Sequence, residues 1–176
     1  NLAALKLSVE QIPNLIEEHK NIFEARKAAE AAAKAVKRAE GQAIKEKLVV
    51  EAEMHALSEN WKLTSERLKT LLDEWKKAPR LDKKADADLW KRFSTSRNKF
   101  DKRRRTHFAT LLQAQSAVKS AKEVIVSEAE SLANSRDWVA TARRYKALMD
   151  QWKLSGRGKK TDDAKLWARF KAAQDT

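Results

Sequence analysis

Residues 61–93 read WKLTSERLKTLLDEWKKAPRLDKKADADLWKRF, and residues 138–170 read WVATARRYKALMDQWKLSGRGKKTDDAKLWARF. Trp61, Trp75 and Trp90 return 77 positions later as Trp138, Trp152 and Trp167, and the pattern Leu89-Trp90-x-Arg92-Phe93 returns as Leu166-Trp167-x-Arg169-Phe170. Extended outward without gaps, residues 45–99 lie on residues 122–176 with 24 identities in 55 positions. A fixed period of this length marks a duplicated structural unit, not a domain built around one centre. The register continues upstream, with Phe23 opposite Phe100 and Arg26 opposite Arg103, while residues 1–12 match the repeat poorly. The second copy reaches Thr176 before its own version of Phe100 and Arg103, and position 1 is Asn, so the chain is expected to be part of a longer array.

Only three Gly and two Pro occur, amid abundant Ala, Lys, Glu, Leu and Arg. That leaves few places to break a helix and almost none to turn a hairpin, so the expected fold is all-α: tandem 77-residue helical repeats, each a long and a shorter helix, elongated and with coiled-coil-like packing. There is no cysteine, which excludes disulfides and thiolate metal sites and fits a reducing compartment. No run approaches the roughly 20 apolar residues that a spanning helix needs, and no membrane association is expected.

The first, partial repeat is placed at 1–77, with a long helix 13–57 that starts near Pro13, where the missing amide hydrogen would cost nothing, and a short helix 60–77 capped by Ser58 or Asn60. A complete repeat follows at 78–154: a loop 78–85 around Pro79, a long helix 86–133 capped by Asp82 or Asp86, and a short helix 136–154. Residues 155–176 open a third repeat with the Gly156 and Gly158 loop. Along the central long helix Leu89, Phe93, Phe100, Phe108, Leu111, Val118, Ile125 and Leu132 keep a near seven-residue rhythm, which predicts a partner helix along a coiled-coil-like seam. The tryptophans fall on apolar helical faces and are expected to anchor each unit, with Trp90 or Trp167 partly exposed.

The short helix ending in LLDEW or ALMDQW, the Pro- or Gly-containing loop, the LWKRF or LWARF signature and its continuation FDKRRRTHF together resemble the bacterial domain of unknown function family 349. The resemblance covers nearly the whole chain. It implies an all-helical, cytoplasmic bacterial protein that carries the domain in tandem, and it transfers no activity.

Catalysis needs convergent groups with tuned acidity, and His19, His55 and His107 are isolated from one another and from any ligand spacing. The composition is too poor in Gly for a phosphate-cradling loop, and neither enzyme activity, a cofactor nor a metal is expected. The charge is more informative. Residues 1–77 carry 14 basic and 13 acidic side chains (+1), residues 78–110 carry 11 and 4 (+7), and residues 111–176 carry 13 and 8 (+5). In the concentrated segment Arg80, Lys83 and Lys84 belong to the loop, and Lys91, Arg92, Lys99, Lys102, Arg103, Arg104 and Arg105 to the helix after it. Arg157, Lys159 and Lys160 occupy the second loop.

At 100° per residue three successive arginines cannot all face a core. Arginine forks suit phosphate oxygens, so RNA or a ribonucleoprotein, foremost the ribosome, is the expected partner. Two other readings remain open: a solvated face whose cations keep the protein soluble, and a coiled-coil scaffold that binds acidic proteins or itself.

Overall fold

A computed structural model describes the backbone of residues 2–176 and the side chains of residues 9–176. Five α-helices follow one another: α1 (Leu2–His55), α2 (Trp61–Lys77), α3 (Lys83–Leu132), α4 (Trp138–Leu154) and α5 (Lys160–Gln174). No strand occurs among the described residues. Two compact units are formed, Asn1–Lys102 and Arg103–Thr176, and α3 supplies residues to both.

The helix bounds depart from expectation in two places. Pro13 lies inside α1 instead of opening it. Its ring removes the amide that would bond the Val9 carbonyl, and because that turn is exposed to water the orphaned carbonyl can be hydrated, so the helix continues through the proline. The first basic loop is also shorter than expected: α3 starts at Lys83, so Lys83 and Lys84 sit in its first turn. Asp82 immediately precedes the helix, and its carbonyl accepts the Asp86 amide at 2.9 Å.

In the first unit Leu48, Val49 and Ala52 of α1, Leu68 and Leu71 of α2, and Leu89, Phe93 and Phe100 of α3 form one buried cluster, flanked by Trp61, Leu72, Trp75 and Leu81. The second unit repeats it with Ile125, Val126 and Ala129 of α3, Tyr145 and Leu148 of α4, and Leu166, Phe170 and Ala173 of α5. Each core therefore takes the C-terminal part of one long helix, a short helix, and the start of the next long helix. The apolar rhythm of α3 is accordingly split: Leu89, Phe93 and Phe100 serve the first core and Ile125 the second, whereas Phe108 and Leu111 are exposed.

Phenylalanine fills the centre, and indole covers it. Phe93, Phe100 and Phe170 are fully buried, while Trp75 stacks on Phe93 at 5.2 Å and Trp61 lies 5.7 Å from Phe100. Trp90 and Trp167 are 40% and 37% exposed, as their position beside the inward Leu and Phe suggests, but Trp138 is 77% exposed, which was not expected.

The turns are built alike. Asn60 and Asp137 cap α2 and α4, accepting the amides of Leu63 at 3.4 Å and Ala140 at 3.1 Å. Behind each cap, Ser58 bonds Thr64 at 2.7 Å and Thr141 bonds Ser135 at 2.8 Å.

The loops after the short helices close by opposite means. A Cβ on Gly41 of α1 would come within 3.1 Å of Leu81 Cδ2, Pro79 Cβ and the Pro79 carbonyl oxygen. The equivalent of Gly41, 77 positions on, is Val118, and the equivalent of Leu81 is Gly158, whose Cβ would lie 3.1 Å from Val118 Cγ1. Small helix residue against large loop residue in one unit becomes large against small in the other. Gly156, at φ +86°, then makes the left-handed turn that ends α4, where the first unit uses Pro79.

Candidate nucleic-acid interface

Most charges that recur at the 77-residue period are occupied in holding the units together. Lys45 is buried, donates to Asp86 at 2.5 Å and lies 4.8 Å from the Trp75 ring centre. Lys122 repeats this with Asp163 at 2.9 Å and Trp152 at 4.6 Å. Each Asp also reaches back to the loop, Asp86 accepting the Leu81 amide at 3.2 Å and Asp163 the Gly158 amide at 3.0 Å. Burial pushes the Asp163 carboxyl upward in pKa, but the Lys122 ammonium and the Gly158 amide outweigh it and hold the group below its ordinary value.

Both carboxylate oxygens of Glu51 accept from one edge of the Arg67 guanidinium, from Nε at 2.5 Å and Nη2 at 2.8 Å, and Glu128 accepts from Arg144 in the same way. Hydrogen bonds from those arginines lower the pKa of both glutamates. Arg92 donates to Glu53 at 3.0 Å through two nitrogens and to Glu46 at 2.6 Å, and Arg169 grips Glu130 at 2.9 Å. Arg92, expected at a phosphate-binding surface, is therefore a tie between α3 and α1.

Once these ties, the cores and the turns are set aside, the identical polar positions left over are Lys69, Asp73, Lys76, Arg80 and Lys83, with their counterparts Lys146, Asp150, Lys153, Arg157 and Lys160. All of them are exposed. Arg80 and Arg157 lie in the loops, and Lys83 and Lys160 are the first residues of α3 and α5. A cation at a helix N-terminus opposes the macrodipole and costs roughly 0.3–1 kcal/mol. Lys84 and Lys159 add to that placement, while Asp86 in the first turn of α3 and Asp162 and Asp163 in that of α5 offset it. The lysines of the short helix, Lys69 and Lys76 with Lys146 and Lys153, were missed as site candidates, although their identity is visible in the two aligned stretches.

The other expected residues divide between the units. On α3, Lys84, Lys91 and Lys102 share one direction at 100° per residue, opposite the stripe of Leu89, Phe93 and Phe100, and extend about 27 Å along the helix at 1.5 Å per residue. Lys99 is exposed to one side of that row. In the second unit Arg105, Arg157, Lys159 and Lys160 are exposed, while Arg103 and Arg104 are half-buried. The sequence cluster from Lys99 to Arg105 is thus not a single uniform patch.

A groove of about 540 Å³ in the second unit is lined by Trp138, Tyr145, Lys146, Met149 and Lys153, among others. In the first unit the matching surface is covered by Phe100 against Trp61, which makes it a packing surface for an aromatic side chain on a helix. Among the described residues no group of acidic and histidine side chains is arranged to hold a metal ion, and no helix is long and apolar enough to cross a membrane.

Duplicated three-helix packing around Trp- and Phe-lined cores, with a basic outer surface, places the chain among tandem helical-repeat proteins. The family model described as Domain of Unknown Function (DUF349) matches residues 15–84 and again 88–160, and the chain belongs to that family. Both matches end just after a loop, so the family's sequence unit is offset from the packed unit, which borrows its last helix from the next repeat. No curated protein and no solved structure matches the chain.

Proposed function

We propose that this protein is a non-enzymatic RNA-binding repeat of the bacterial cytoplasm, docking on RNA or a ribonucleoprotein, foremost the ribosome, through phosphate contacts from its lysines and arginines. The observation that carries this reading is the recurrence of Arg80 and Lys83 as Arg157 and Lys160, all exposed and paired with no carboxylate among the described residues, with Lys83 and Lys160 at helix starts where a cation opposes the macrodipole. An anion placed there meets the helix N-terminus and the cations together. The row Lys84, Lys91 and Lys102 extends the surface in the first unit. Arg92 is excluded from it because its guanidinium is already bound on both edges.

The test compares two variants of equal charge in filter binding to a generic structured RNA at about 50 and 200 mM salt. Removing Arg80, Lys83, Arg157 and Lys160 together (each →Gln) is expected to weaken binding at least about tenfold at the lower salt and to flatten its salt dependence by about 3 in log–log slope. Removing Lys20, Lys27, Lys34 and Lys37 of α1 (each →Gln) is expected to leave most of the affinity. Equal losses from the two variants would show that only net charge matters, and absence of binding at the lower salt would overturn the reading outright. Sedimentation of the wild-type chain with ribosomes through a gradient, with and without nuclease, tests the ribosome as the particle bound.

A further inference from the structure

Every described residue of α1 from 9 to 40 is exposed, yet the helix carries the apolar pattern of a packed one. In the 77-residue register Ile12, Ile16 and Phe23 stand where α3 has Leu89, Phe93 and Phe100, and where α5 has Leu166 and Phe170. All five of those counterparts are buried, each against the C-terminal part of a preceding long helix and the short helix that follows it. Phe100 is completely buried, and Phe23 is 67% exposed.

We infer that this face of α1 is a docking site for one further two-helix cassette of the same repeat, bound as residues 45–77 bind α3 and as residues 122–154 bind α5. The interface is thus already present twice, and α1 carries its third copy of the apolar half.

Charge fixes the chemistry of the occupant. In α3 the interface is edged by Asp86, which receives Lys45, and by Arg92, which receives Glu46 and Glu53. In α1 those positions are Val9 and Leu15, both exposed. A cassette docked there with a lysine at that place would bury its ammonium against Val9 with no carboxylate to neutralise it, whereas its half-exposed glutamates would stay in water beside Leu15. The partner cassette therefore carries an apolar side chain at the position equivalent to the buried Lys45, with the tryptophan and leucine framework of the short helix retained. This sets it apart from either resident cassette, and from a second copy of the chain, whose cassettes already hold α3 and α5.

The experiment extends the full chain. A copy of residues 28–82 is joined in register, so that its last residue, equivalent to Asp82, precedes Lys6. One extended chain carries the copy unaltered, and another carries Lys45→Leu within the copy only.

Hydrogen exchange is followed at the amides of residues 12–26 in both extended chains and in the original. The apolar copy is expected to slow that exchange at least about tenfold, the unaltered copy less, and Phe23→Ala is expected to reverse the protection. Exchange as fast in both extended chains as in the original overturns the docking site. Equal protection by both copies overturns the apolar chemistry of the partner. Protection in the original chain that grows with its concentration, together with a dimer in sedimentation, overturns the cassette as occupant in favour of a second copy. None of these readouts involves RNA, so failure here leaves the phosphate-binding surface standing, and the reverse also holds.

Discussion

Gly41→Ala is the sharpest test of how the loops are seated. In an exposed helix interior this change stabilises by about 1 kcal/mol, because Ala outranks Gly by that margin. At Gly41 the new methyl group would meet Leu81 Cδ2, Pro79 Cβ and the Pro79 carbonyl oxygen, all at 3.1 Å. The Leu81 methyl is a side-chain tip that can turn aside, but Pro79 Cβ belongs to a ring and the Pro79 oxygen to backbone, so the loop must lift by a few tenths of an ångström. Overpacking of this kind costs roughly 1–3 kcal/mol and cancels or exceeds the propensity gain. Gly41→Ala is expected to be neutral or destabilising by up to about 2 kcal/mol, and Gly41→Val more so.

The second unit supplies the control, since its helix residue is Val118 and its loop residue Gly158. Val118→Gly and Gly158→Leu should each destabilise, the first by about 2 kcal/mol from lost packing and helix propensity. Val118→Gly clears the helix side of the new leucine but not Asp163 Oδ1, which lies 2.8 Å from the added Cβ, so together they should recover only part of the summed loss, about 1 kcal/mol, as coupling. Urea melts followed by tryptophan fluorescence measure all four variants. If Gly41→Ala stabilises by the full kilocalorie, or the Val118 and Gly158 changes simply add, the loops do not rest on the long helices in the way described.

Phe100→Ala, which empties a completely buried ring site beside Trp61, should cost about 3–5 kcal/mol in urea melts, whereas Phe23→Ala, at the same register but exposed, should change the unfolding free energy by no more than about 0.5 kcal/mol. Equal costs would contradict the exposure of α1. Acid should weaken the fold in a defined direction. Glu51, Glu128, Glu130 and Asp163 have pKa values held below their unfolded ones, so the unfolded chain binds more protons on acidification, and stability rises with pH through that range. The denaturation midpoint should be flat from pH 7 to about 5 and fall below about pH 4.5, where unfolded carboxylates begin to protonate. A midpoint unchanged at pH 3 would show that these ion pairs add nothing.

The duplication made the architecture legible from sequence: the Trp spacing, the helix count and the caps Asn60 and Asp137 can all be read from the aligned stretches. The start of α1 was misplaced because Pro13 signals a first turn by local chemistry alone, and only the hydration of that turn shows that the helix can pass through it. The α3 stripe looked like one seam because periodicity records which residues are apolar, not which partner each one meets. Phe93 and Ile125 share the stripe but belong to different cores. The pairing of Arg92 was hidden for a related reason. Its partners Glu46 and Glu53 lie 46 and 39 residues away, so no local charge count could pair them.

A chain that contains its own second copy permits an inference that a single domain would not. Identity between the copies records what both positions need, and packing can be subtracted from it. Val49, Ala52, Leu71, Leu89 and Phe93 are retained by the core, Ser58 and Thr64 by the turn, and Lys45, Glu51, Glu53, Arg67, Asp86 and Arg92 by ties whose geometry is repeated nearly atom for atom. Lys69, Asp73, Lys76, Arg80 and Lys83 survive the subtraction; Asp73 lies within one helical turn of Lys69 and Lys76, which leaves Arg80 and Lys83, the latter where the helix dipole disfavours it. Residues free to drift under packing alone would lose their charge at such positions first. Retention of these cations in both copies is what the proposed phosphate contacts would require, and the paired Gln variants test whether they are kept for that.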